Sequence, residues 1–292
     1  MITPQRILAA TDFSPSGNQA LERAAELANA LGARLDLVHV QQTSMLERLV
    51  QWLGSKAADI EEQLQQQNRL NLQDLAAGLH ARYGISCGVQ VVQGDLRATL
   101  ISEADRQDSD LLIVGAHGES QVQQGLIGSK PIRLLKGSQR PLLVVRRAAK
   151  GEYRKVLVAV EFSATAMVAA KMACALAPNA EITLLHAVEA PFEGKLRNAG
   201  VEESQIAECL HKEAGKALHQ LQALAQDVAT NRQHNLHPLV IHGEASQAIL
   251  AQQCDLILIG RHGKNSLEDL LLGSVTRHVV NQARCDVLVC SH

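Results

Sequence analysis

The sequence predicts an α/β protein of two tandem doubly wound domains, each a five-stranded parallel sheet with helices on both faces. Three observations lead to this prediction. Short apolar runs alternate with longer helical patterns, the runs are apolar throughout, and the whole series occurs twice within 292 residues. Runs without polar alternation are typical of parallel strands that are buried on both faces. The chain length also accommodates two domains of ordinary size.

The repeat is visible as four pairs of segments that keep their order and spacing. The pairs are RILAATDFS with KVLVAVEFS, LDLVHV with ITLLHA, DLLIVGAHG with DLILIGRHG, and RPLLVVR with CDVLVCS. Self-similarity of this kind indicates one structural unit written twice. We therefore predict domains at residues 1–148 and 153–292, joined by the short polar stretch Ala148–Tyr153. A join this short indicates that the two domains pack together.

The first half begins with the apolar run ILAA, which predicts a strand. Apolar residues then recur at helical spacing over Asn18–Leu31, and Gly32 follows where a helix C-terminal cap is expected. The run LDLVHV predicts the second strand. The Gln-rich amphipathic segment from Leu46 to Arg82 predicts the second helix.

The rest of the half continues the same alternation. VQVVQG predicts the third strand, Ala98–Arg106 the third helix, and DLLIVGA the fourth strand. A fourth helix is expected to begin near Ser129, and PLLVVR closes the half. Ligands of such sheets bind beyond the carboxyl ends of the strands, where the strand order reverses. The fourth strand ends at Gly115, or at Gly260 in the second half, so the loop that follows is a candidate site.

Composition excludes several classes of function. A net charge of −2 gives no electrostatic reason to expect binding of a nucleic-acid backbone. Only 2% of the residues are aromatic, so few side chains are available for the bases of a single strand to stack on. The six scattered cysteines form no CxxC pair and are expected to be small core hydrophobes rather than a disulfide framework. We see no signal peptide and no run long enough to span a membrane, and we expect a cytoplasmic protein.

Glycines with a regular spacing follow the fourth strand of each half. The pattern G-x2-G-x9-G-S comprises Gly115, Gly118, Gly128 and Ser129 in the first half, and Gly260, Gly263, Gly273 and Ser274 in the second. The second glycine is expected to allow positive φ and close backbone approach to a ligand. The last glycine opens a helix, whose free N–H groups form an anion site, and Ser274 and Thr276 add hydroxyl donors. The pattern predicts a phosphate chain held mainly by backbone amides.

These glycines, the acidic ATDFS that follows the first strand, and the LVHV-type ending of the second strand resemble the universal stress protein family. The resemblance covers essentially the whole chain, as two tandem domains. It implies an adenine nucleotide alpha hydrolase-like fold and ATP as ligand, with or without Mg²⁺. It also implies a role in stress response and a homodimer.

The resemblance assigns roles to matching residues. The first-strand acid, Asp12 or Glu161, is expected near the adenosine, and the backbone of Val40 or Ala187 near the adenine. The residues expected around ribose and phosphates are Gly115, Gly118, Gly128 and Ser129 in the first half, and Gly260, Gly263, Gly273, Ser274, Val275 and Thr276 in the second. Arg261 is a further candidate for balancing phosphate charge.

Each half departs from the family pattern in a different place. The first half has Lys130 and Pro131 where the second has Val275 and Thr276. Proline suits a first helical turn but lacks an N–H, and it is expected to hold Lys130 in extended geometry. Lys130 either supplies a charge to a phosphate or belongs to a degenerate site. The second half has Glu161 for aspartate, which moves the carboxylate by about 1.5 Å. Because phosphates dominate the contacts, we expect the second half to be the better site.

Other chemistries find less support. The sequence has no G-x4-G-K-[ST] loop and no G-x-G-x-x-G after the first strand. Histidines 234, 237 and 242 cluster without a cysteine or carboxylate pattern that completes a metal site. His39 and His186 are expected to be satisfied at strand ends, whereas His117 and His262 lie in the glycine loop within reach of a ligand.

The sequence also predicts whether the protein is a catalyst and which partners it binds. No general base, carboxylate pair or nucleophile is arranged for catalysis, so fast turnover is not expected, and slow ATP hydrolysis stays open. The alternative function is a nucleotide-independent interaction scaffold, or a binder of another small ligand. The last strand of each half falls at a sheet edge in this family, and exposed edges seek partners. We predict that these two edges pair within the chain and that chains form homodimers, with neither nucleic acid nor a membrane as partner.

Overall fold

A computed structural model describes residues 3–43, 52, 57–118, 128–189, 193–229, 234–261 and 272–291. The chain divides into two compact units, one comprising Thr3–Glu152 and the other built from Tyr153–His292. In chain order, the described elements of the first unit are β1 (Arg6–Ala10), α1 (Pro15–Leu31), β2 (Arg34–Gln42), α2 (Ala57–Tyr83), β3 (Cys87–Gly94), α3 (Leu96–Arg106), β4 (Leu111–Gly115), α4 (Ser129–Gly137) and β5 (Leu142–Val145).

The second unit repeats this series. Its described elements are β6 (Lys155–Ala159), α5 (Ala164–Leu176), β7 (Glu181–Val188), α6 (Glu193–Asn198), α7 (Glu203–Val228), β8 (Asn235–His242), α8 (Ala245–Leu250), β9 (Leu256–Gly260), α9 (Ser274–Gln282) and β10 (Asp286–Cys290). The predicted alternation of strands and helices is confirmed in both halves.

The strands of each unit form a parallel sheet with the same internal order. That order is β3-β2-β1-β4-β5 in the first unit and β8-β7-β6-β9-β10 in the second. Ile7 lies opposite Leu35 on one side and Leu111 on the other. The strand order therefore reverses between β1 and β4, and likewise between β6 and β9. Helices cover both faces, which confirms the predicted doubly wound α/β class.

The core consists of aliphatic side chains, as the scarcity of aromatic residues requires. The central strands are buried along their length, as Leu111 and Ile113 in β4 and Leu256 and Leu258 in β9 illustrate. Helix α1 adds the face that its periodicity predicts, with Ala20, Leu21, Ala24, Ala25, Leu27 and Ala28 all buried. Burial of such surface is the main favourable contribution to folding.

Helix ends follow local chemistry. Gly32 ends α1 in a left-handed conformation with φ of 64°, as predicted, because glycine has no Cβ to clash there. Helix α1 begins at Pro15, earlier than the apolar pattern indicates, since Ser14 caps it. Helix α2 is described from Ala57, and most of the predicted segment before it lies outside the described residues. In the second unit Gly200, with φ of 80°, separates α6 from α7.

The cysteines are all free thiols. Cys174, Cys285 and Cys290 are buried as predicted, and burial raises the pKa of the Cys174 thiol to about 11 and that of Cys290 to about 12. The prediction is wrong for Cys209, which is exposed on α7. Among the described residues, no helix combines the length and the apolar character needed to cross a bilayer.

Candidate functional site

Each unit has a cavity at the carboxyl ends of the two strands between which the strand order reverses. In the first unit the ends of β1 and β4, Ala10 and Gly115, line this cavity. In the second unit Ala159 and Gly260 occupy the same places at the ends of β6 and β9. A reversal of strand order opens a crevice because the connections leave toward opposite faces of the sheet. Both cavities therefore lie at the edge where the sequence predicts a ligand.

A serine positions the acidic residue that follows the first strand of each unit. The Ser14 hydroxyl donates to Oδ1 of Asp12 over 2.5 Å and accepts from the backbone N–H of Gly17 over 3.1 Å. In the second unit the Ser163 hydroxyl donates to Oε1 of Glu161 over 3.1 Å and caps α5 through the N–H of Ala166. One side chain thus begins the helix and orients the carboxylate, which explains the repeated D-F-S and E-F-S.

The loop that holds this acid is strained and is secured from the next strand. Phe13 and Phe162 have φ of 62° and 60°, a left-handed conformation that bulky residues rarely adopt. Each phenyl ring lies against a histidine ring, with centroids 4.4 Å apart for His39 and 4.5 Å apart for His186. The same histidines place Nδ1 at 2.9 Å and 2.7 Å from the carbonyl oxygens of residues 11 and 160.

These contacts agree with the expectation that both histidines are satisfied at strand ends. Sequence reasoning did not identify the two phenylalanines. Their signal was present in the repeated acid-Phe-Ser triplet, but a positive φ at phenylalanine is not predictable from residue type.

Backbone hydrogen bonds fix where the next helix begins. The N–H of Gly128 donates to the carbonyl of Ala116 over 2.8 Å, and the N–H of Gly273 donates to that of Arg261 over 3.0 Å. Each glycine is an N-cap residue that forms no side-chain cap hydrogen bond, so the first N–H groups of α4 and α9 are left to other acceptors. The glycine spacing that the two halves share therefore places a helix N-terminus beside the end of the fourth strand.

The second unit has a cavity of about 410 Å³ at this place. Seven of the predicted site residues line it, namely Glu161, Ala187, Gly260, Gly273, Ser274, Val275 and Thr276. A volume in this range suits a small-molecule ligand. The lining combines the carboxylate of Glu161 with the first residues of α9, so it offers acceptors for hydroxyl groups and N–H donors for an anion.

Thr276 has a different role from the one predicted. Its hydroxyl donates to the carbonyl of Gly260 over 2.7 Å, and the side chain is buried. The hydroxyl hydrogen is therefore not available to a phosphate. It joins the first turn of α9 to the end of β9 and so fixes one wall of the cavity.

Three other predicted residues of the second half are not among the described residues that line the cavity. Arg261 is buried, and its backbone N–H donates to the carbonyl of Cys290 over 2.9 Å, but it is not among the described residues that line the cavity. Gly263 and His262 lie outside the described residues. The prediction for those two stays a prediction.

The first unit has a much smaller cavity, of about 60 Å³. Asp12, Val40, Gly115 and Gly118 line it as predicted, together with Lys130 and Pro131. This volume is well below the several hundred Å³ of a typical small-molecule site. The ammonium of Lys130 lies 3.3 Å from Oδ2 of Asp12, so the two charged groups meet across the site.

The expected extended geometry of Lys130 is wrong, and Gly118 does not use the positive φ that glycine allows. Lys130 is not extended but lies in the first turn of α4, which accommodates Pro131 because the first-turn N–H groups need no intrahelical acceptor. Gly118 is not among the described glycines with positive φ. A Cβ at Gly118 would stand 2.9 Å from Oδ2 of Asp12 and 3.2 Å from Nζ of Lys130, so glycine leaves space for this ion pair.

Gly115 and the start of α4 also have structural roles. A Cβ at Gly115 would stand 2.6 Å from the backbone oxygen of Ser16, so the glycine lets α1 approach the end of β4. Gly128 is buried as the N-cap of α4, and Ser129 is the first residue of that helix. Neither of the last two is among the described residues that line the first cavity.

A capped helix forms another wall of the second cavity. Ala245 and Ile249 of α8 line it, and Glu244 caps this helix by accepting from the N–H groups of Ser246 and Gln247. The hydroxyl of Ser246 also donates to Glu244, over 2.8 Å. This hydroxyl, followed by the Ser246 backbone N–H, holds the pKa of the Glu244 carboxyl below its usual value.

Histidine 117 lies at the first cavity, as its place in the glycine loop predicts. It lines the cavity, and its backbone N–H donates to the Ser16 hydroxyl over 3.2 Å. Within the described ranges, no group of three histidine, cysteine or acidic residues is arranged to hold a metal ion.

Known proteins match this chain in both halves. A model of the universal stress protein family matches residues 3–146 and again residues 152–291. A universal stress protein of Mycolicibacterium smegmatis is 24% identical over 98% of this chain and 97% of its own. The crystal structure of one from Archaeoglobus fulgidus has a TM-score of 0.63 at 19% identity and covers 98% of both chains. Another universal stress protein, solved in complex with cAMP, is 24% identical over 49% of this chain and 98% of its own, with a TM-score of 0.36.

Proposed function

We propose that this chain, which belongs to the universal stress protein family, binds ATP or a related adenine nucleotide in its second half as a cytoplasmic regulator of a stress response. The observation that carries the proposal is the cavity of about 410 Å³ between Glu161 and the first turn of α9. Its volume and its lining, which includes a carboxylate and the start of a helix, suit a ligand that carries both hydroxyl groups and phosphates.

The phosphates would bind at the start of α9. The N–H groups of Ser274, Val275 and Thr276 have no intrahelical acceptor because they lie in the first turn of α9. The N-cap residue, Gly273, has no side chain that could accept from them. Together with the helix dipole they favour an anion, and Mg²⁺, where present, would accompany the phosphates as a counter-ion. Gly260, Arg261 and Gly263 are the other predicted neighbours of this group, and they remain proposals.

The nucleoside would occupy the opposite end of the cavity. Glu161, oriented by Ser163, provides carboxylate oxygens that accept hydrogen bonds from ribose hydroxyls. Ala187, near the end of β7, provides backbone groups to the edge of the adenine ring. Adenine is then recognised through main-chain hydrogen bonds.

We propose one strong site per chain. The domain at 153–292 holds it, whereas the domain at 1–148 has a cavity of only about 60 Å³ among its site residues. In the first domain the corresponding proposed set is Asp12, Val40, Gly115, Gly118, Gly128 and Ser129. We further propose that the nucleotide is a regulatory ligand and is not rapidly turned over. A phosphate-release assay is expected to detect at most slow hydrolysis, and turnover many times per second would contradict this point.

Calorimetric titration of the full chain with ATP tests the proposal. We expect saturable binding that the substitution Val275→Pro weakens at least tenfold, which corresponds to about 1.4 kcal/mol. Proline removes one N–H from the first turn of α9, where no N–H needs an intrahelical acceptor, so the helix is expected to remain; α4 accommodates Pro131 in its first turn, one position later. Val275→Ala keeps the N–H and serves as the matched control, with affinity close to that of the wild type.

A second measurement separates this proposal from a nucleotide-independent scaffold. Mass analysis of the small molecules released by denaturing the purified protein is expected to show an adenine nucleotide. Release of a different small molecule, with no calorimetric signal for ATP with or without Mg²⁺, would favour a binder of that molecule. No released ligand and no signal would favour the scaffold.

We also propose that β5 and β10 pair within one chain and that chains then form homodimers. Each strand lies at one end of the sheet of its own unit, and unpaired edges seek partners. Hydrogen exchange is expected to show protection of the outer amides of both strands that does not change on dilution. Light scattering is expected to give twice the chain mass, and a monomer at all concentrations would contradict the dimer.

A further inference from the structure

The two halves differ in charge at one equivalent position of the site. Lys130 and Val275 are each the second residue of the helix that begins after the last motif glycine. The same pair, Gly-Ser, precedes both residues, and Pro131 and Thr276 follow them. A cation therefore enters the first site and an aliphatic side chain enters the second, from the same place on the same element.

The cation does not point to solvent but crosses the site. Nζ of Lys130 lies 3.3 Å from Oδ2 of Asp12, a residue 118 positions earlier in the sequence. Only 35% of the Lys130 side chain and 26% of the Asp12 side chain are exposed. The Ser14 hydroxyl donates to the other carboxylate oxygen, Oδ1, and so orients Asp12 toward Lys130.

The surrounding backbone is shaped for the pair. A Cβ at Gly118 would approach both Oδ2 of Asp12 and Nζ of Lys130, at 2.9 Å and 3.2 Å. A side chain at this position would therefore push the two charged groups apart. Because glycine is present, the two charges and the loop backbone pack against one another.

The cavity volumes agree with this arrangement. The cavity of the first site, lined by Asp12 and Lys130 among others, has about 60 Å³, whereas that of the second has about 410 Å³. The ion pair engages the carboxylate oxygen that a ribose hydroxyl would need. It also fills the space between that carboxylate and the helix start.

We propose that Lys130 plugs the site of the first half by pairing with Asp12, so that this half binds no nucleotide until the lysine is removed. The proposal rests on the proposed function, because the ligand that the plug excludes is the one assigned to the second half. It makes Lys130 the residue that determines which half of the chain is occupied. The competing role, in which Lys130 binds a phosphate, requires the ammonium to leave Asp12.

The test is the number of ATP molecules bound per full-length chain, measured by calorimetry and by equilibrium dialysis. The wild type is expected to bind one and Lys130→Val to bind two. Lys130→Arg keeps the charge and is expected to remain at one. Pro131→Thr restores the helical N–H while keeping the plug, and it is also expected to remain at one.

Each outcome decides something. A Lys130→Val chain that binds no more ATP than the wild type overturns the plug, and so does a wild type that already binds two. A wild type that binds none overturns the proposed function, and in that case a single site gained in Lys130→Val still supports the plug. If Lys130→Val does not fold, as circular dichroism would show, Lys130→Gln is expected to give the same gain of one site.

Discussion

The sites of the two halves share their backbone and differ in what stands inside them. Both have a serine that orients an acid, a phenylalanine with positive φ against a histidine, and a glycine bonded to the residue after the fourth strand. In the first half a lysine meets the acid and leaves about 60 Å³. In the second half valine stands at that position beside about 410 Å³. The comparison teaches that a duplicated backbone arrangement can be kept while the side chains inside it, and the cavity that they leave, differ.

The largest expected effect comes from moving the lysine to the second half. Val275→Lys places an ammonium where it can reach Glu161, as Lys130 reaches Asp12. We expect ATP affinity to fall about a hundredfold or more, equivalent to about 2.7 kcal/mol, because the charge pairs with the carboxylate and fills the cavity. Calorimetry of the full chain measures this change.

Val275→Met is the matched control for that experiment, since it adds length without charge. It is expected to weaken binding by much less than lysine does. An equal loss for methionine and lysine would show that volume alone separates the two halves and that the ion pair is incidental.

The second-largest effect is a loss of stability when Gly115, the first motif glycine of the first half, is replaced. Gly115→Ala would bring a Cβ within 2.6 Å of the Ser16 backbone oxygen, so α1 or β4 must shift. We expect a loss of about 2 kcal/mol in unfolding free energy, typical of overpacking. Denaturant unfolding without nucleotide measures it. Gly78→Ala, in α2 with open space around it, is the control and is expected to be neutral or slightly stabilising. Unchanged stability in Gly115→Ala would instead assign this glycine to ligand approach.

A smaller effect is expected where the second half has threonine and the first has proline. Thr276→Val keeps the shape but removes the hydroxyl that donates to the Gly260 carbonyl, which leaves a buried acceptor unsatisfied. We expect a loss of about 1 to 2 kcal/mol in unfolding free energy. Thr276→Ser keeps the hydroxyl and is expected to recover most of this loss, and equal effects of the two substitutions would refute the bond's contribution.

The smallest effect is a pH dependence in the wall of the second cavity. The pKa of the Glu244 carboxyl is lowered in the folded protein, chiefly by the Ser246 hydroxyl. A lowered carboxyl pKa contributes stability above the unfolded value, about 4.3, and that contribution is lost as the pH falls through the folded value. Wild type and Glu244→Gln are therefore expected to differ in melting temperature at pH 6 and to converge as the pH is lowered below about 4.

Glu202→Gln is the control for this measurement. Glu202 is the N-cap residue of α7 but forms no side-chain cap hydrogen bond. Glu202→Gln therefore removes a carboxylate that caps no backbone N–H, and a change seen only in Glu244→Gln is assigned to the cap. A pH-independent gap between wild type and Glu244→Gln would mean that the cap does not depend on charge.

Much of the fold was predictable because it depends on local chemistry and on repetition. The apolar runs that became β4 and β9 are buried along their length, and a strand buried on both faces tolerates few polar residues. Gly32 ends α1 with positive φ for a reason that glycine carries wherever it occurs. The helix start at Ser129 and the cavity at the strand ends followed from the same rules.

The interior of the sites was less predictable. Residue type indicated that Thr276 had a hydroxyl to offer, but only the packed structure shows that Gly260 receives it. Proline predicted an extended Lys130, whereas the helix N-terminus accommodates both residues. Gly118 was expected to allow positive φ and close approach of a ligand, whereas in the structure its missing Cβ leaves room for the side chains of Asp12 and Lys130.

The sequence by itself determined the class of fold, the duplication and the order of helices and strands, and it indicated the sheet edge at which each cavity lies, because each depends on periodicity and on residues near one another in the chain. Tertiary structure decided which site is open. Lys130 and Asp12 are 118 residues apart, and their 3.3 Å contact exists only because the parallel sheet brings the end of β1 beside the start of α4. The interaction between two charges depends on the distance between them, and residue type alone does not predict that distance.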